Sequence, residues 1–209
     1  MPDAQMPAEN HAAARLPDIP ADQVMEARSP DLLTDSAETL ETLIRTRRTH
    51  KAYGPEPVDR ATLLELFELA RWAPNHHLTN PWRFRVIGPQ ARALLAREAE
   101  LEQPGSARKL ERAPTLIVVG VELQGDQSQQ QDDLLAAAVA AYIVLLAAHA
   151  RGLAGYWRTL PILEKPTVHA GLGMSAAEQA IGLLHLGYPV QAQRAPERAP
   201  VEDIVTFLD

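Results

Sequence analysis

Residues 132–151 predict one long helix whose side chains are apolar on nearly every face. A helix of this kind has no solvent-facing side and is buried in a core or against another subunit. Its most apolar stretch, residues 134–148, is about half alanine and is shorter than the roughly 20 apolar residues that cross a bilayer. We therefore interpret it as a buried helix of a soluble protein, ended by Gly152, and expect no membrane partner.

The rest of the chain mixes shorter helices with strands. A continuous apolar run over residues 115–121 predicts a strand covered on both faces. Large apolar and basic side chains alternate over residues 82–87, which indicates a second strand. Further segments are predicted as strands at 153–159, 181–187 and, at an edge, 205–208, and as helices at 36–44, 59–72, 90–101 and from Pro161 onward. Helices come first and then mix with strands, so we favour an α+β fold, with the order of the sheet left open.

The two ends of the chain differ in composition. Residues 1–36 are rich in Ala, Pro, Asp and Glu without an apolar period, which predicts a flexible N-terminal tail or an arm lying on a partner. Residues 37–209 are expected to form a single domain. The first residues show no basic start followed by an apolar run, so no secretory signal is predicted and the cytoplasm is the expected compartment.

Charge and composition exclude several functions. The formal net charge is -7 and the pI is about 5.5, so the broad basic footprint of a nucleic-acid binder is missing. The chain has no cysteine, which excludes disulfides, cysteine-ligated metals and thiol nucleophiles. The sequence also lacks the glycine-rich dinucleotide turn, the P-loop and the G-x-S-x-G elbow.

Three segments carry side chains suited to a binding site. The first is a basic cluster, Arg45, Arg47, Arg48 and Lys51. Guanidinium groups match the oxygens of a phosphate, but a basic helix end in solvent has the same composition, and composition alone favours that simpler interpretation.

The second segment is the loop at 73–82, which holds His76 and His77 between two prolines. Loops between rigid elements often carry sites, although ordinary turns use the same residues, and two histidines without further ligands do not predict a metal. The third segment is 155–159, where Trp157 could pack on a flat ring and Arg158 could reach an anion. The alternative there is a strand with a core tryptophan and an exposed arginine.

Taken in order, these segments and the motifs between them resemble the nitroreductase family, in its compact single-domain bacterial branch. The resemblance covers about residues 38–209. It rests on Arg47-Arg48-Thr49-His50-Lys51, Pro57-Val58, Ala73-Pro74, Asn80-Pro81-Trp82-Arg83-Phe84, Gly155 to Thr159, and Leu186-Gly187-Tyr188-Pro189.

The resemblance implies a mainly antiparallel central sheet flanked by helices, in an intertwined homodimer with active sites at the interface. It implies FMN as cofactor and NADPH or NADH as electron donor. The expected reaction passes a hydride from NAD(P)H through the flavin to a nitroaromatic, quinone or similar small-molecule acceptor. The flavin carries this chemistry, so no catalytic side chain and no metal are predicted.

The resemblance also assigns roles to residues. Arg47, Arg48 and Thr49 are expected to hold the phosphate and ribityl chain of FMN, and Lys51 to lie near the pyrimidine edge of the flavin. The remaining expected flavin contacts are the backbone beside Trp72, with His76, either of which could come from the other subunit, and Trp157, Arg158 and Thr159. The expected nicotinamide contacts are Ala147, Ala148, His149, Ala150, Arg151 and Gly152.

The chain departs from the family pattern at several positions. Thr49 replaces a serine and keeps its hydroxyl, Asn80 replaces a glutamine, and Leu160 is bulkier than the usual residue. Leu78 stands where many members place a flavin-binding asparagine. Three alternatives remain at this stage: an FMN-binding carrier without turnover, an enzyme that remodels the flavin itself, and an α+β dimer with no cofactor.

Overall fold

The structure is a computed structural model that describes the backbone of residues 30–208 and the side chains of residues 35–208. Of the described residues, 42–208 belong to one compact unit and those up to 41 belong to another. Most of the predicted tail, residues 1–29, lies outside the described residues. Residues 30–36 belong to the first helix, and the side chains of residues 35–41 are exposed.

The elements of the fold follow the predicted order closely. The helices are α1 Pro30–Thr46, α2 Arg60–Ala70, α3 Pro89–Glu102, α4 Arg108–Glu111, α5 Gln127–Ala150 and α6 Pro166–Gly171. The strands are β1 Trp82–Val86, β2 Thr115–Glu122, β3 Ala154–Arg158 and β4 Glu178–Gly187, and short 3-10 turns cover His76–Leu78, Pro161–Glu164 and Val201–Asp203.

The four strands form one antiparallel sheet in the order β1-β2-β4-β3. Phe84 on β1 lies opposite Val119 on β2, and Gly155 on β3 lies opposite Leu186 on β4. The α+β fold with a mainly antiparallel sheet is therefore confirmed. The predicted edge strand at 205–208 is wrong: these residues are exposed and belong to no strand. Their apolar run is short and lies against neither edge of the sheet, so nothing holds it extended.

Each face of the sheet has its own apolar core. Ile117, Val119, Leu184 and Leu186 face α5, whose buried alanines let the helix axis come close to the sheet. On the other face, Leu116, Val118 and Leu183 pack with side chains of α3, α4 and α6, namely Leu95, Leu110 and Val168. The sheet thus lies between α2 and α5 on one side and α3, α4 and α6 on the other.

The start of α5 differs from the prediction. The helix begins at Gln127, five residues before the predicted start, because the Asp126 side chain caps it by accepting a hydrogen bond from the Gln129 N–H at 3.0 Å. Asp132 and Asp133 therefore lie in its second turn rather than at its beginning. Among the described helices, α5 is the one long and apolar enough to cross a membrane, and half of its most apolar stretch is buried within the chain.

Candidate functional site

The basic segment after α1 lies along the outer edge of β3. Thr49 pairs with Gly155 in an isolated bridge, and the His50 N–H donates a hydrogen bond to the Gly155 carbonyl at 3.1 Å. The Arg48 guanidinium donates to two carbonyls of its own segment, those of Arg45 at 2.6 Å and Arg47 at 2.9 Å. The structure therefore joins the segment at residues 47–51 to the start of β3, the strand that also carries Trp157 and Arg158.

The outer edge of β3 presents free backbone groups beyond this bridge. The Gly155 carbonyl points outward to His50, and strand residues alternate in direction, so the N–H and C=O of Trp157 point outward as well. Among the described residues no backbone group pairs with them. The indole of Trp157 packs toward α5 and donates to the Ile181 carbonyl at 3.3 Å, while Thr159 is exposed just past the strand.

Two neutral imidazoles lie among the arginines of this segment. The pKa of His149 is lowered mainly by burial and further by Arg47 and Arg48. The pKa of His50 is lowered mainly by burial and further by His149 and Arg47. The Thr46 hydroxyl donates to the Thr42 carbonyl at 2.6 Å and lies 2.8 Å from His149 Nε2. Since that hydroxyl has one hydrogen, His149 must donate from Nε2. The region is positive and favours an anion.

A cavity of about 490 Å³ adjoins this region. Its walls include His50, His149, Gly152 and Leu153. His50 Nδ1 is buried without a hydrogen-bond partner. The structure thus joins part of the predicted nicotinamide segment, His149 and Gly152, to the basic segment.

The rest of the predicted nicotinamide segment ends α5. The side chains of Ala147 and Ala148 are buried, and their carbonyls accept hydrogen bonds from the Arg151 guanidinium and the Leu153 N–H. Arg151 also pairs with Glu65 at 3.1 Å, and Ala150 is exposed. The two buried alanines therefore present little side-chain surface, while Ala150 and Arg151 lie at the surface.

Lys51 and Arg158 meet on the other face of the sheet. They line a small cavity together with Lys109 and Arg112 from α4 and with His185 from β4. The His185 ring packs at a tilt against the Tyr156 ring, with the ring centres 5.5 Å apart. Burial, then Arg158, Arg92 and Arg112, lowers the pKa of His185 to about 4.

Trp72 and His76 lie elsewhere, near the first turns of α5. The Trp72 side chain is 75% exposed with the Arg71 guanidinium 6.0 Å from its ring centre. His76 pairs with Asp132 at 3.1 Å. Asp132 and His149 are separated by seventeen residues of α5, which at the rise of an α-helix is about 25 Å. Within one chain, His76 therefore does not reach the basic segment.

The loop that carries His76 is held in a strained conformation. His77, Leu78 and Asn80 have positive φ values of 54°, 52° and 47°, which non-glycine residues adopt at a cost. The Asn75 side chain compensates by accepting the Asn80 N–H at 2.9 Å. His77 stacks on His76, but no metal-binding group of three side chains occurs in the part of the chain that the structure describes.

Comparison with known proteins decides the family. Residues 44–188 match the sequence model of the Nitroreductase family.

The chain belongs to the nitroreductase family.

Relatives and solved structures agree with this assignment. The chain is 27% identical over 182 residues to YfhC of Bacillus subtilis (strain 168), which carries the provisional name NAD(P)H nitroreductase, and the match covers 81% of this chain and 94% of YfhC. A nitroreductase-like protein of Bacillus cereus superposes with a TM-score of 0.74 at 23% identity over 81% of this chain and 96% of its own. A provisionally named nitroreductase of Desulfovibrio desulfuricans, solved with FMN, superposes with a TM-score of 0.67 at 24% identity. The match covers 88% of this chain and 99% of that one.

The residues of this nitroreductase-family chain suit a flavin nucleotide. A phosphate needs cationic donors, which Arg47 and Arg48 supply next to neutral histidines. The pyrimidine ring of a flavin alternates hydrogen-bond acceptors and a donor along one edge. The free N–H and C=O of Trp157 on the edge of β3 offer the matching pattern, and Lys51 places a cation beside it.

The structure adds candidate residues that the sequence interpretation missed. The 490 Å³ cavity is also lined by Pro189, the last residue of the family motif Leu186-Gly187-Tyr188-Pro189, and by Gln191 and Ala192 just after it. That motif could have pointed to them, because it ends a core strand beside the site. Lys109 and Arg112 belong to no motif of the nitroreductase resemblance, and only tertiary packing brings them to Lys51.

Proposed function

We propose that this chain is an FMN-dependent oxidoreductase that takes electrons from NADPH or NADH and passes them to a nitroaromatic, quinone or similar acceptor. The observation that carries the proposal is the basic segment at 47–51 bound along the free edge of β3. The family match over residues 44–188 supports it, as do the relative named for NAD(P)H and the neighbour solved with FMN.

Each part of the cofactor has a proposed partner. Arg47, Arg48 and Thr49 hold the phosphate and ribityl chain through charged and hydroxyl donors. Lys51 and the backbone of Trp157 hold the pyrimidine edge, and Arg158 and Thr159 complete that end. FMN, when bound, supplies the hydride acceptor and donor chemistry, while the protein orients the reactants and provides charge.

His149 and Gly152 are proposed to meet the nicotinamide donor, in a segment that includes Ala147, Ala148, Ala150 and Arg151. They lie at the cavity shared with His50, so a donor bound there would contact the basic segment. The neutral state of His149, favoured by its burial and by Arg47, leaves the arginines as the cations of this site.

Two copies of the chain are needed to complete the site in this proposal. His76, which pairs with Asp132, lies about 25 Å along α5 from His149 and the basic segment, so His76 and the neighbouring Trp72 would reach a flavin bound by the partner subunit. Leu135, Val139 and Tyr142 form an exposed apolar stripe on α5 with helical spacing. Phe207 and Leu208 are also almost fully exposed. These surfaces support a homodimer with a C-terminal arm on the partner, and we propose that it works in the cytoplasm.

The N-terminal residues have a separate place in the proposal. Residues 1–36 would act as a tail or an arm on the partner, and residues 37–209 as the FMN-binding domain. Limited proteolysis followed by mass determination tests this division, because cleavage is expected to accumulate before residue 37 and to leave flavin binding intact.

The test of function is an absorption spectrum of the purified protein, repeated anaerobically after NADPH and then NADH. A flavin spectrum that bleaches supports the oxidoreductase and identifies the donor. A flavin that neither donor bleaches would indicate a carrier, and no flavin after reconstitution with FMN would contradict the proposal.

The cofactor assignment has its own test in Arg47. We expect Arg47→Ala to weaken FMN binding by roughly 1.5–3 kcal/mol, the typical value of a hydrogen bond to a charged group. Arg97→Ala is the matched control, since Arg97 is exposed on α3 and pairs with Glu98. Equal FMN affinity of the two variants in a flavin fluorescence titration would remove Arg47 from the phosphate site.

A further inference from the structure

A second cluster of cations lies beside the proposed flavin site and has no role in it so far. Lys109 and Arg112 project from α4 into the small cavity that Lys51 and Arg158 also line. No carboxylate lines this cavity. Within the described part of the chain, none of the four cations forms an ion pair.

This concentration of charge stands out in a chain whose formal net charge is -7. Like charges around one cavity repel each other, and a bound anion removes that repulsion. His185 at the base of the cavity is 2% exposed, and its Nε2 has no hydrogen-bond partner. Burial and then the surrounding arginines favour its neutral form. The cations surround a cavity of only about 10 Å³, so an anion would bind at its rim, among their side chains.

An apolar cavity of about 370 Å³ adjoins this cluster, and Arg158 lines both. Its apolar walls come from Ala99, Leu110, Leu160, Pro161 and Ile162. The polar residues Glu102, Gln103 and Ser106 also line it. The Lys165 ammonium lies 2.9 Å from the Glu102 carboxylate, so that carboxylate is already paired and repels an incoming anion less. The two cavities together present an apolar surface with cations at one end.

We propose that Lys109, Arg112 and Arg158 bind the anionic group of the electron acceptor, whose apolar ring lies in the adjoining 370 Å³ cavity. The acceptor class is thus an aromatic acid rather than a neutral ring. This inference rests on the proposed function, because it needs an acceptor that reacts beside Lys51 and Arg158. It adds Lys109 and Arg112 as residues that determine specificity without touching the reacting atoms.

The test compares two acceptors of equal shape and different charge, 4-nitrobenzoate and 4-nitrobenzamide, on the FMN-loaded enzyme. We expect Lys109→Gln and Arg112→Gln each to lower the ratio of kcat/KM for the anion to kcat/KM for the amide about three- to tenfold, mainly through KM. Arg108→Gln is the matched control, with the same charge change on the same helix but no contact with the cavity.

A binding measurement tests the same site without turnover. Benzoate titrated into the FMN-loaded protein by calorimetry is expected to bind about three- to tenfold more weakly to Lys109→Gln and Arg112→Gln than to Arg108→Gln. Added salt should reduce the difference, since exposed charges are screened.

Several results would overturn the proposal. Unchanged acceptor ratios in an active enzyme would do so, as would weaker FMN binding in the Lys109→Gln and Arg112→Gln variants, which would place these cations at the cofactor. A loss of activity in these two variants with NADPH as donor, but not with NADH, would place Lys109 and Arg112 at the donor site. A wild-type enzyme that reduces neither acceptor with either donor would instead overturn the proposed function, and this inference with it.

Discussion

The Asp133 carboxylate accepts a hydrogen bond from the Thr79 hydroxyl at 2.7 Å and so ties the strained His76 loop to the second turn of α5. Asp133 is 1% exposed and also accepts from the Gln124 N–H at 3.0 Å and from the Gln129 amide at 3.2 Å. A buried carboxylate with three donors fixes the position of everything bonded to it. The loop that carries Trp72 and His76 thereby has a defined place on the surface.

We expect Asp133→Ala to lower the free energy of unfolding by roughly 2–4 kcal/mol, because it leaves buried donors without an acceptor. Asp132→Ala removes the neighbouring carboxylate, whose only described contact is the exposed pair with His76, and should cost less than about 1 kcal/mol. Urea unfolding of both variants checks the difference. Equal losses would show that Asp133 does not anchor the loop.

Gly182 on β4 makes room for the Trp157 indole. A Cβ at this position would lie 2.1 Å from Trp157 Nε1, so Gly182→Ala must displace the ring or shift the strand. We expect a loss of roughly 1–3 kcal/mol in stability, together with a changed near-ultraviolet circular dichroism signal and weaker FMN binding. Gly88→Ala, where a Cβ meets no atom within 4 Å, is the control. A Gly182→Ala protein that behaves like Gly88→Ala would contradict the packing.

The pKa of His185 makes stability depend on pH. Burial and the arginines Arg158, Arg92 and Arg112 lower it to about 4 from an ordinary 6.5, so the unfolded state binds the proton first as pH falls. The neutral His185 therefore leaves the free energy of unfolding at its full value above about pH 6.5. As the pH approaches 4, the free energy of unfolding falls progressively, by on the order of 3 kcal/mol. We expect His185→Leu to reduce the fall in unfolding free energy between pH 7 and pH 4.5.

His50 and His149 also have lowered pKa values, so some pH dependence should persist in His185→Leu. Urea unfolding at several pH values, with wild type and variant under matched conditions, measures the change in slope. Identical slopes would mean that His185 titrates alike in the folded and unfolded states.

The proposed dimer predicts that two defective chains can restore each other. Arg47→Ala damages the site on its own chain, while His76→Ala damages the site that its partner binds. Mixed dimers then hold one site with both defects and one intact site. After subunit exchange, random pairing makes half of the dimers mixed with one intact site each, so we expect the intact sites to add about a quarter of the wild-type activity to that of the remaining homodimers. Activity equal to the average of the two separate variants would place both residues in one subunit.

Much of the fold follows from local patterns. The run at 115–121 and the alternation at 82–87 both became strands of the sheet. Asp59 caps α2 as its position indicates, by accepting the Thr62 N–H at 2.9 Å. The early start of α5 was missed because its first turn is polar and largely solvent-exposed, so no apolar period marks it. The apolar run at 205–208 was wrongly predicted as a strand, because strand formation needs a neighbouring edge as well as a suitable sequence.

The candidate site was partly predictable from sequence motifs. The family motifs mark residues 47–51 and 155–159 separately, and the bridge between Thr49 and Gly155 brings them together. Lys109 and Arg112 carry no motif, and their contact with Lys51 arises only when α4 packs on the far face of the sheet. The separation of His76 from the basic segment likewise depends on the length of α5, which a list of motifs does not contain.

The open edge of β3 has a consequence for handling the protein. A strand with unpaired N–H and C=O groups is a template onto which another chain can add, and this route leads to aggregation. The bridge at Thr49 blocks only the Gly155 end of that edge. A flavin lying along the Trp157 end would also cover it, so the bound cofactor would prevent another chain from pairing with this edge. Protein stripped of FMN should therefore be the form that precipitates first on storage.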